Sequence, residues 1–379
     1  MTVVVVGAGP VGLTAALTLA RRGVEVVVLE QGPTLATESR ASTFHPPTLE
    51  MLDTLGVLKP LLDRGIVAPT FQYRERGGGE IATLDLRLLA GDTRFPFRVQ
   101  CEQSILTPIL LDALGDSAQV RFGHHADAVS TDALGATVHT DRGDVRGDWV
   151  IGADGAHSAI RRALAANFDG TTYPERFLVA SVEEDLAAAL PGIAPVNYIF
   201  DADEWLVLLR TPQLWRVLLP TAPATRDEDE FRRLPQRLTA VADLGRPWRV
   251  RHASLYRVHQ RVTDRFHIGR ALLMGDAAHV NNPLGGLGMN SGIHDAVAMA
   301  TALADVLDGG PESGLDIVAR RRRRVAVEHV QQASHANWER LRGNDSEFRA
   351  HLRALAADPE ATRAYLRRAC LLDSLEPRL

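Results

Sequence analysis

The sequence predicts an α/β protein with three parts: a Rossmann-like domain, an inserted, mostly antiparallel β-sheet domain and a helical C-terminal segment. Three observations predict it. The first 30 residues follow the order strand, glycine-rich loop, helix and strand. Two later apolar strands end in Asp154-Gly155 and Gly275-Asp276, at the strand ends where open α/β sheets bind ligands. Residues 173–264 alternate short strands with turns, which favours an antiparallel sheet.

The N-terminal segment has the parts of a dinucleotide-binding unit. Val3 to Val6 is an unbroken β-branched run, typical of a buried parallel strand. Gly7-Ala8-Gly9-Pro10-Val11-Gly12 follows it and fits the pattern G-x-G-x-x-G. Leu13 to Arg22 has helical spacing, and Val24 to Leu29 is a second strand that Glu30 closes.

Several of these residues have a physical role at a dinucleotide. Gly7 allows a tight turn, Gly9 lets the backbone approach a pyrophosphate, and Gly12 lets helix and strand pack closely. The helix N-terminus offers N–H groups and a partial positive charge to the phosphates. Glu30 can accept hydrogen bonds from an adenosine ribose. On these residues alone, NAD and FAD fit equally well.

Composition and charge argue against several other classes. The 379 residues are 45% hydrophobic and 23% charged, as in an ordinary globular protein, and the net charge of −5 argues against a nucleic-acid partner. Residues 3–20 carry no charge, but glycine and proline interrupt them, so we expect no membrane span. Cys101 and Cys370 form neither a disulfide framework nor a metal pattern, which favours a cytoplasmic protein without a metal. We interpret Arg320 to Arg324 as a solvated helix face.

Two later segments are candidates to complete the site. Val150 to Gly155 leads an apolar strand into Asp-Gly, where Asp154 either faces a ligand or caps the following helix. Ala271 to Asp276 repeats the arrangement, and a glycine-rich turn, Asn282 to Asn290, then opens a helix from Ser291 to Leu307. Glycines in such a turn let backbone N–H groups crowd against a ligand, and the helix N-terminus stabilises negative charge. His279 is either a base or a structural histidine.

The middle of the chain holds the substrate candidates. Strands are predicted at Tyr198–Phe200, Trp205–Arg210 and Leu214–Leu219, and a charged, exposed helix at Arg226–Val241. Strand alternation puts the side chains of residues 215 and 216 on opposite faces. The candidates are arginines for a carboxylate, an aromatic wall and tyrosines for a phenol proton, namely Tyr198, Arg210, Trp215, Arg216 and Tyr256. Each of them has an ordinary core or surface position as its alternative.

In order and separation, the three motifs resemble those of class A flavoprotein monooxygenases of the para-hydroxybenzoate hydroxylase type. Arg40, and Gln103 within Cys101-Glu102-Gln103-Ser104-Ile105-Leu106, stand where that family keeps an Arg and a Gln. The resemblance covers nearly the whole chain and implies a bound FAD. The expected FAD-binding residues are Gly7, Gly9, Pro10, Val11, Gly12, Glu30, Gln31, Arg40, Gln103, Asp154, Gly155, Gly275, Asp276, Gly286, Gly288, Met289 and Asn290. Many relatives carry Gln at the position of Leu287, so the polar role of that side chain is absent here.

The resemblance implies an enzyme that uses NAD(P)H and O₂ to hydroxylate an aromatic, usually phenolic, small molecule through a flavin C4a-hydroperoxide. His45, in the loop after Arg40, and Pro283, in the turn expected to face the flavin, are the catalytic candidates. The alternatives on the same fold are an oxidase, a reductase, a Baeyer–Villiger oxygenase and a non-catalytic flavin-binding protein. We expect a monomer or a homodimer.

The expected domains are discontinuous. A FAD-binding domain takes residues 1–70, 100–172 and 265–308, a substrate-binding β-sheet domain takes 71–99 and 173–264, and a helical segment takes 309–379.

Overall fold

The computed structural model describes residues 1–37, 41–343 and 346–375. The strands are β1 (Thr2–Val6), β2 (Glu25–Glu30), β3 (Thr43–Phe44), β4 (Ile66–Ala68), β5 (Thr70–Glu75), β6 (Gly79–Asp85), β7 (Arg98–Gln100), β8 (Gln119–Phe122), β9 (Ala126–Asp132), β10 (Gly135–Thr140), β11 (Val145–Gly147), β12 (Trp149–Gly152), β13 (Phe168–Val182), β14 (Val196–Phe200), β15 (Leu206–Arg210), β16 (Trp215–Pro220), β17 (Val250–Thr263), β18 (His267–Ile268), β19 (Ala271–Leu273) and β20 (His279–Val280). The helices are α1 (Pro10–Ala20), α2 (Pro46–Thr54), α3 (Leu58–Leu62), α4 (Gln103–Leu114), α5 (Ala159–Ala163), α6 (Leu186–Ala189), α7 (Asp227–Val241), α8 (Leu287–Leu307), α9 (Glu312–Val325), α10 (Gln332–Arg342), α11 (Ser346–Ala357) and α12 (Pro359–Ala369).

A six-stranded sheet carries the predicted nucleotide motifs. Its order is β18-β19-β12-β1-β2-β8; the strands from β19 to β8 run parallel and only β18 pairs antiparallel. The valines of β1 are fully or almost fully buried, as expected of a parallel sheet covered on both faces. Because β19, β12 and β1 are neighbours with the same direction, their carboxyl ends meet at one edge. The predicted α/β class is therefore confirmed.

An eight-stranded sheet forms the second layer, in the order β20-β17-β13-β16-β15-β14-β5-β6. Its two longest strands, β13 and β17, form an antiparallel pair of 15 and 14 residues near one edge of the sheet. The sequence pattern did not predict these two strands as such, because each has an exposed stretch and mixes polar with apolar residues. The predicted hairpin of β15 and β16 is present, and β14 joins β15 antiparallel and β5 parallel.

Two small sheets complete the layers. One, of order β11-β10-β9, lies next to the parallel sheet, with β11 against β1. The other has the order β3-β7-β4. The domain boundary expected between residues 99 and 100 falls inside β7, and the division into domains stays a prediction.

The C-terminal segment is helical, as predicted, and covers one face of the large sheet. Trp338, Phe348 and Leu366 of this segment share one apolar cluster with Tyr73 and Tyr198 of the sheet. This cluster, which also contains Phe71, Phe200, Leu284 and Cys370, is called the aromatic cluster below. None of the helices in the described ranges is long and apolar enough to cross a bilayer.

Two predictions about charged helices were wrong in part. Arg322, in the middle of the arginine run, is buried and its Nε lies 2.7 Å from Asp295 Oδ1, so one face of α9 is inside the protein. Helix α7 is likewise only half exposed, because Glu230 and Arg237 form a buried ion pair of 2.8 Å. In both helices the period of 3.6 residues places one or two charged side chains on the buried face. There each forms an ion pair with a carboxylate or a guanidinium.

Candidate active site

The glycine-rich loop between β1 and α1 has the geometry of a dinucleotide loop. Gly7 has a φ of +107°, and a Cβ there would overlap the carbonyl oxygen of Ala153. A Cβ at Gly12 would overlap the carbonyl oxygen of Gly7, whereas a Cβ at Gly9 would meet nothing within 4 Å. Two glycines therefore serve close packing, and the third leaves open space beside the start of α1. Among the described residues no side chain caps α1, whose N-cap is Gly9, so its N–H groups are available to a phosphate.

Glu30 lies at the end of β2, directly beside this loop. Its carboxylate accepts hydrogen bonds from the backbone N–H of Ala8 at 2.8 Å and of Gly32 at 2.9 Å. It is half-buried, and the exposed Gln31 beside it places Oε1 3.2 Å from His125 Nδ1. A carboxylate held in this way points to a fixed position next to the open space at Gly9, as ribose recognition requires.

Asp154 and Gly155 follow β12 at the same edge. The Asp154 carboxylate accepts from Ser158 Oγ at 2.5 Å and from the Ile160 N–H at 3.2 Å. Ser158 itself is the N-cap of α5 and accepts from the Arg161 N–H. Asp154 thus supports the cap without being the cap residue, and Gly155 has a φ of +81°.

Arg161 connects this loop to the third motif. Its guanidinium donates to the carbonyl of Ala156 at 2.8 Å and to that of Ala277 at 2.9 Å. Asp276 is exposed although Gly275 and Ala277 are buried, so the turn presents its carboxylate outward. This places a carboxylate at the shared edge of the sheet.

Tight packing fixes the Gly275 turn against α1 and α8. A Cβ at Gly275 would lie 2.8 Å from Val11 Cγ2, and a Cβ at Gly292 would lie 2.7 Å from the same atom. Glycine is needed at both positions because Val11 fills the space. Pro10 is the first residue of α1, where its missing N–H is not needed by the helix.

Asp295 of α8 holds the same turn from inside. Its Oδ2 accepts from His279 Nε2 at 2.8 Å and from the Gly275 N–H at 3.3 Å, and its Oδ1 accepts from Arg322 Nε at 2.7 Å. Burial alone raises the pKa of Asp295, but Arg322 and His279 bring this pKa below its ordinary value. His279 is buried and stacked on Phe266, which supports the structural alternative for this histidine.

The glycine-rich turn before α8 uses two left-handed glycines. Gly285 and Gly286 have φ of +103° and +67°, and the Gly286 N–H donates to the Pro283 carbonyl at 3.0 Å. Helix α8 begins at Leu287, one turn earlier than predicted, so Gly288 and Met289 lie in its first turn and are half-buried. Among the described residues, no side chain caps the N-terminus of α8.

The Asn290 side chain joins this turn to the segment around β3. Its Oδ1 accepts from the His45 N–H at 2.9 Å and from Thr48 Oγ1 at 2.7 Å. Its Nδ2 donates to the carbonyls of Thr43 at 2.8 Å and of Gly286 at 2.7 Å. The amide is fully used within the protein, so it fixes the turn rather than offering a free polar group.

His45 is buried at the start of α2 and faces the same turn. Its Nε2 lies 2.9 Å from the Gly285 carbonyl, which can only accept, so this nitrogen carries the proton. Burial lowers the pKa of His45 well below its ordinary value, and the charge of Arg98 lowers it further. The ring is neutral, and its Nδ1 has no hydrogen-bond partner within the described part of the chain.

The substrate candidates do not all share one face of the large sheet. Tyr198 lies in the aromatic cluster, stacked on Tyr73 with ring centroids 5.3 Å apart. Trp215 instead packs with Leu234 and Leu238 of α7 in a separate apolar cluster, so it does not line the same site as Tyr198. The Arg210 guanidinium lies 5.7 Å from the Trp215 ring and belongs to that side.

Arg216 and Tyr256 belong neither to the aromatic cluster nor to the apolar cluster around Trp215. Arg216 is buried on the face of β16 opposite to Trp215, and burial lowers the pKa of its guanidinium. Tyr256 is 36% exposed, which is the exposure of a surface residue rather than of a proton relay in a dry site. Of the five substrate candidates, Tyr198 shares the aromatic cluster with Leu284 of the glycine-rich turn.

Two other predicted residues lie near the loop after β2. Gln103 begins α4, is half-buried and donates its backbone N–H to the Ala41 carbonyl at 3.0 Å. Arg40 lies outside the described residues. No group of three or more His, Cys, Asp or Glu side chains within the described ranges is arranged to hold a metal ion.

Sequence reasoning missed a strand of polar residues between the two layers. Arg98 and Gln100 of β7 are buried, and Gln100 Oε1 accepts from Thr43 Oγ1 at 3.0 Å. Gln100 Nε2 has no hydrogen-bond partner among the residues described. The sequence does contain a pattern that indicates these residues, because Arg98 and Gln100 alternate with Val99 and Cys101. Polar side chains are seldom buried without a partner, so this alternation in a short strand marks a candidate site.

Comparisons with known proteins define the class. A family model described as FAD binding domain matches residues 1–333, and the chain belongs to this family of FAD-binding enzymes. The chain is 34% identical over 390 residues to para-nitrophenol 4-monooxygenase from Pseudomonas sp. (strain WBC-3), covering 99% of this chain and 96% of that protein. It is 35% identical over 347 residues to 6-hydroxy-3-succinoylpyridine 3-monooxygenase HspB from Pseudomonas putida (strain DSM 28022 / S16), covering 89% and 88%.

Solved structures agree with this assignment. The p-nitrophenol 4-monooxygenase PnpA from Pseudomonas putida DLL-E4 superposes with a TM-score of 0.92 at 33% identity, over 100% of this chain and 99% of that one. Aklavinone-11 hydroxylase, solved with FAD and aklavinone, has a TM-score of 0.81 at 26% identity, over 90% and 69%. The chain is an enzyme of the flavin-dependent aromatic monooxygenases, and FAD is its cofactor.

The residues present fit FAD. The open space at Gly9, the free start of α1 and the carboxylates of Glu30 and Asp276 suit an adenosine diphosphate and a ribityl chain. The start of α8 suits the reacting ring, because its N–H groups and dipole favour negative charge.

Proposed function

We propose that the protein hydroxylates a small phenol with O₂ and NAD(P)H. One oxygen atom enters the ring and the other leaves as water, so that substrate, O₂, NAD(P)H and a proton give hydroxylated product, water and NAD(P)⁺. FAD, when bound, would accept the hydride from NAD(P)H and provide the electrophilic oxygen. The chain's own residues bind, orient and exclude water.

One observation carries the proposal. Leu284, in the turn that is expected to face the flavin, packs in the aromatic cluster together with Tyr198. The start of α8 and the aromatic face of the large sheet therefore adjoin each other. A phenol between them would have aromatic walls on one side and the reacting ring on the other.

The relatives support a small phenolic substrate. Para-nitrophenol 4-monooxygenase and pentachlorophenol 4-monooxygenase of Sphingobium chlorophenolicum, 27% identical over 353 residues, are both named for single-ring phenols. Both rings carry electron-withdrawing groups. We propose a substrate of this kind rather than a fused polycyclic one, because para-nitrophenol 4-monooxygenase, which is 34% identical over 99% of this chain, is named for a single-ring phenol.

The FAD-binding residues are proposed from their geometry. Gly7, Gly9 and Gly12 shape the loop for the pyrophosphate, Glu30 takes the ribose, and Asp276 faces the ribityl chain. The domain division given above, a cytoplasmic location and a monomer or homodimer are part of the same proposal; the two cysteines are free and buried, in line with a reducing compartment.

The test is oxygen incorporation by the purified, FAD-loaded enzyme. NADH and NADPH are compared anaerobically for bleaching of the flavin with and without 4-nitrophenol, 4-chlorophenol and 4-hydroxybenzoate. Then ¹⁸O₂ is admitted, and the products are weighed by mass spectrometry. A product that carries one ¹⁸O atom is expected. Consumption of NAD(P)H that yields only H₂O₂ with every phenol would instead favour the oxidase or reductase alternative.

A further inference from the structure

Arg98 is a buried cation with an incomplete shell of partners. It lies on β7, is 2% exposed, and its Nε and Nη1 have no hydrogen-bond partner among the residues described. Its Nη2 lies 3.9 Å from Cys370 Sγ, and its guanidinium carbon lies 4.2 Å from the centre of the Phe71 ring. The Tyr198 hydroxyl also hydrogen-bonds to Arg98. A thiol, a neutral hydroxyl and an aromatic face are weak partners for a full positive charge.

The groups that face Arg98 carry no compensating charge. Burial raises the pKa of the Cys370 thiol and, although Arg98 opposes it, the pKa of Tyr198, so both are neutral near pH 7. Burial also raises the pKa of Tyr73 well above its ordinary value, and His45 is neutral. Within ranges 1–37, 41–343 and 346–375, no carboxylate forms an ion pair with this guanidinium.

Several other buried arginines of the chain have strong hydrogen-bond or ion-pair partners. Arg322 is paired with Asp295, and Arg237 is paired with Glu230 and Glu204. Arg161 donates to two carbonyls. An unpaired buried ion costs several kcal/mol, so a cation without a carboxylate partner indicates that the anion comes from a ligand.

The position of Arg98 identifies which ligand this is. On one side, β7 pairs with β3, which ends directly before His45, and the charge of Arg98 lowers the pKa of this histidine. His45 in turn bonds to Gly285 of the glycine-rich turn. On the other side, Arg98 acts on Tyr198 and stacks on Phe71 of the aromatic cluster. The cation therefore lies between the expected flavin and the expected aromatic substrate.

We propose that Arg98 is the counter-ion of the substrate's ionised phenolic oxygen. The inference rests on the proposed function, since it names the form in which the phenol binds. An ionised phenol is more electron-rich than its neutral form and reacts better with an electrophilic oxygen. Phenols with electron-withdrawing substituents ionise most readily, which agrees with the two phenols named in the relatives.

The experiment measures the ionisation of a bound phenol without turnover. The FAD-loaded enzyme is mixed with 4-nitrophenol in the absence of NAD(P)H, and the visible band of the phenolate is followed against pH. In the wild-type enzyme the bound phenol should have a pKa at least one unit below that of the free compound, which is about a tenfold preference for the anion. Arg98→Met should return this pKa to the free value or above it and weaken binding of the anion about tenfold or more.

Three controls isolate the charge. Arg98→Lys should keep part of the shift, because it keeps the charge but not the planar donor group. The methyl ether 4-nitroanisole cannot ionise and should bind the wild-type enzyme and Arg98→Met equally well. Arg94→Met removes an exposed arginine of the same segment, paired with Asp53, and should leave the pKa of the bound phenol unchanged.

Stability and FAD content decide whether Arg98 is only structural. Since Arg98 lacks a carboxylate partner, Arg98→Met should keep its FAD and unfold at a temperature no lower than the wild type. If the methionine variant does not fold, Arg98→Gln carries the same prediction. The proposal is wrong if wild-type enzyme binds 4-nitrophenol without lowering its pKa, or if the neutral variant leaves the shift in place. A lowered pKa without any hydroxylated product would refute the proposed function alone.

Discussion

The two sides of the candidate site treat a buried guanidinium in opposite ways. Next to the cofactor motifs, Arg322 donates to Asp295 and to Ser291. On the substrate side, Arg98 has two nitrogens without a hydrogen-bond partner in the part of the chain that the structure describes. The first cation belongs to a finished scaffold, whereas the second has polar capacity left for a ligand. Near the cofactor motifs the buried cation is therefore paired within the protein, whereas near Tyr198 we propose that a bound substrate supplies the missing anion.

The largest effect is expected from Asp295→Ala. The substitution leaves Arg322 buried without its carboxylate and removes the acceptor that holds His279 and the Gly275 N–H. The free energy of unfolding should fall by about 3–5 kcal/mol, as on breaking other buried ion pairs. Urea unfolding at neutral pH measures it, and FAD affinity should fall too because the Gly275 turn loses its support.

Arg98→Met is the matched comparison for this prediction. It removes a guanidinium of similar burial but should not lower the unfolding free energy, because no carboxylate loses its partner. Equal losses of stability in Asp295→Ala and Arg98→Met would erase the distinction between the two sides. As a surface reference, Asp308→Asn breaks only the exposed pair with Arg22 and should have almost no effect.

A pair of glycine substitutions tests whether the cofactor loop is closed on one side and open on the other. Gly12→Ala forces a methyl group into the Gly7 carbonyl and should lower the unfolding free energy by about 1–3 kcal/mol. Gly9→Ala meets nothing within 4 Å, so the protein should fold normally and lose FAD affinity instead. Thermal unfolding of the FAD-free proteins and FAD titration separate the two. If Gly9→Ala destabilised the FAD-free protein as much as Gly12→Ala, Gly9 would not lie beside open space.

The difference between the sides also explains what the sequence could predict. The residues expected to bind FAD belong to local sequence patterns, namely a glycine-rich loop after a strand and carboxylates at strand ends. Each of Gly7, Gly12 and Gly275 has a backbone or packing reason that a motif records directly. The order of β19, β12 and β1 then follows from the rules of parallel sheets.

The substrate side is not local in this sense. Arg98, Tyr198 and Tyr365 are far apart in the chain and come together through the packing of β7, β14 and α12. Trp215 and Tyr198 looked alike as candidates, because strand alternation alone does not say which face the C-terminal helices cover and which face α7 covers. The inward arginine of the charge run was missed for the same reason, since its partner lies 27 residues earlier in sequence.

A pH-dependent prediction follows from His294, which is buried next to Asn290. Its Nε2 lies 2.9 Å from Thr48 Oγ1, and burial lowers its pKa to about 3 from 6.5. Between these two values the unfolded chain binds a proton that the folded protein does not. Stability should therefore decrease as the pH falls below 6.5, by about 1.4 kcal/mol per pH unit from this group alone.

His294→Gln should reduce that slope while keeping a donor for Thr48. Urea unfolding at several pH values between 5 and 7 measures how the unfolding free energy changes with pH. The slope should show that His294→Gln takes up about one proton fewer on unfolding than the wild type. His157→Gln, at an exposed position, is the control and should leave the slope as it is. His45 contributes a second slope of the same sign, since burial also lowers its pKa, so some dependence should remain.

The smallest effect concerns the tyrosine pair that joins the C-terminal segment to the substrate side. The hydroxyl groups of Tyr73 on β5 and Tyr365 on α12 lie 2.7 Å apart. Tyr365→Phe should lower the unfolding free energy by about 1 kcal/mol, because the buried Tyr73 hydroxyl loses a partner. If the pair acts as a unit, Tyr73→Phe combined with Tyr365→Phe should cost less than the sum of the single changes. FAD affinity should not change in any of the three variants, since the pair lies in the aromatic cluster; a loss of FAD would mean that the C-terminal helices support the cofactor side as well.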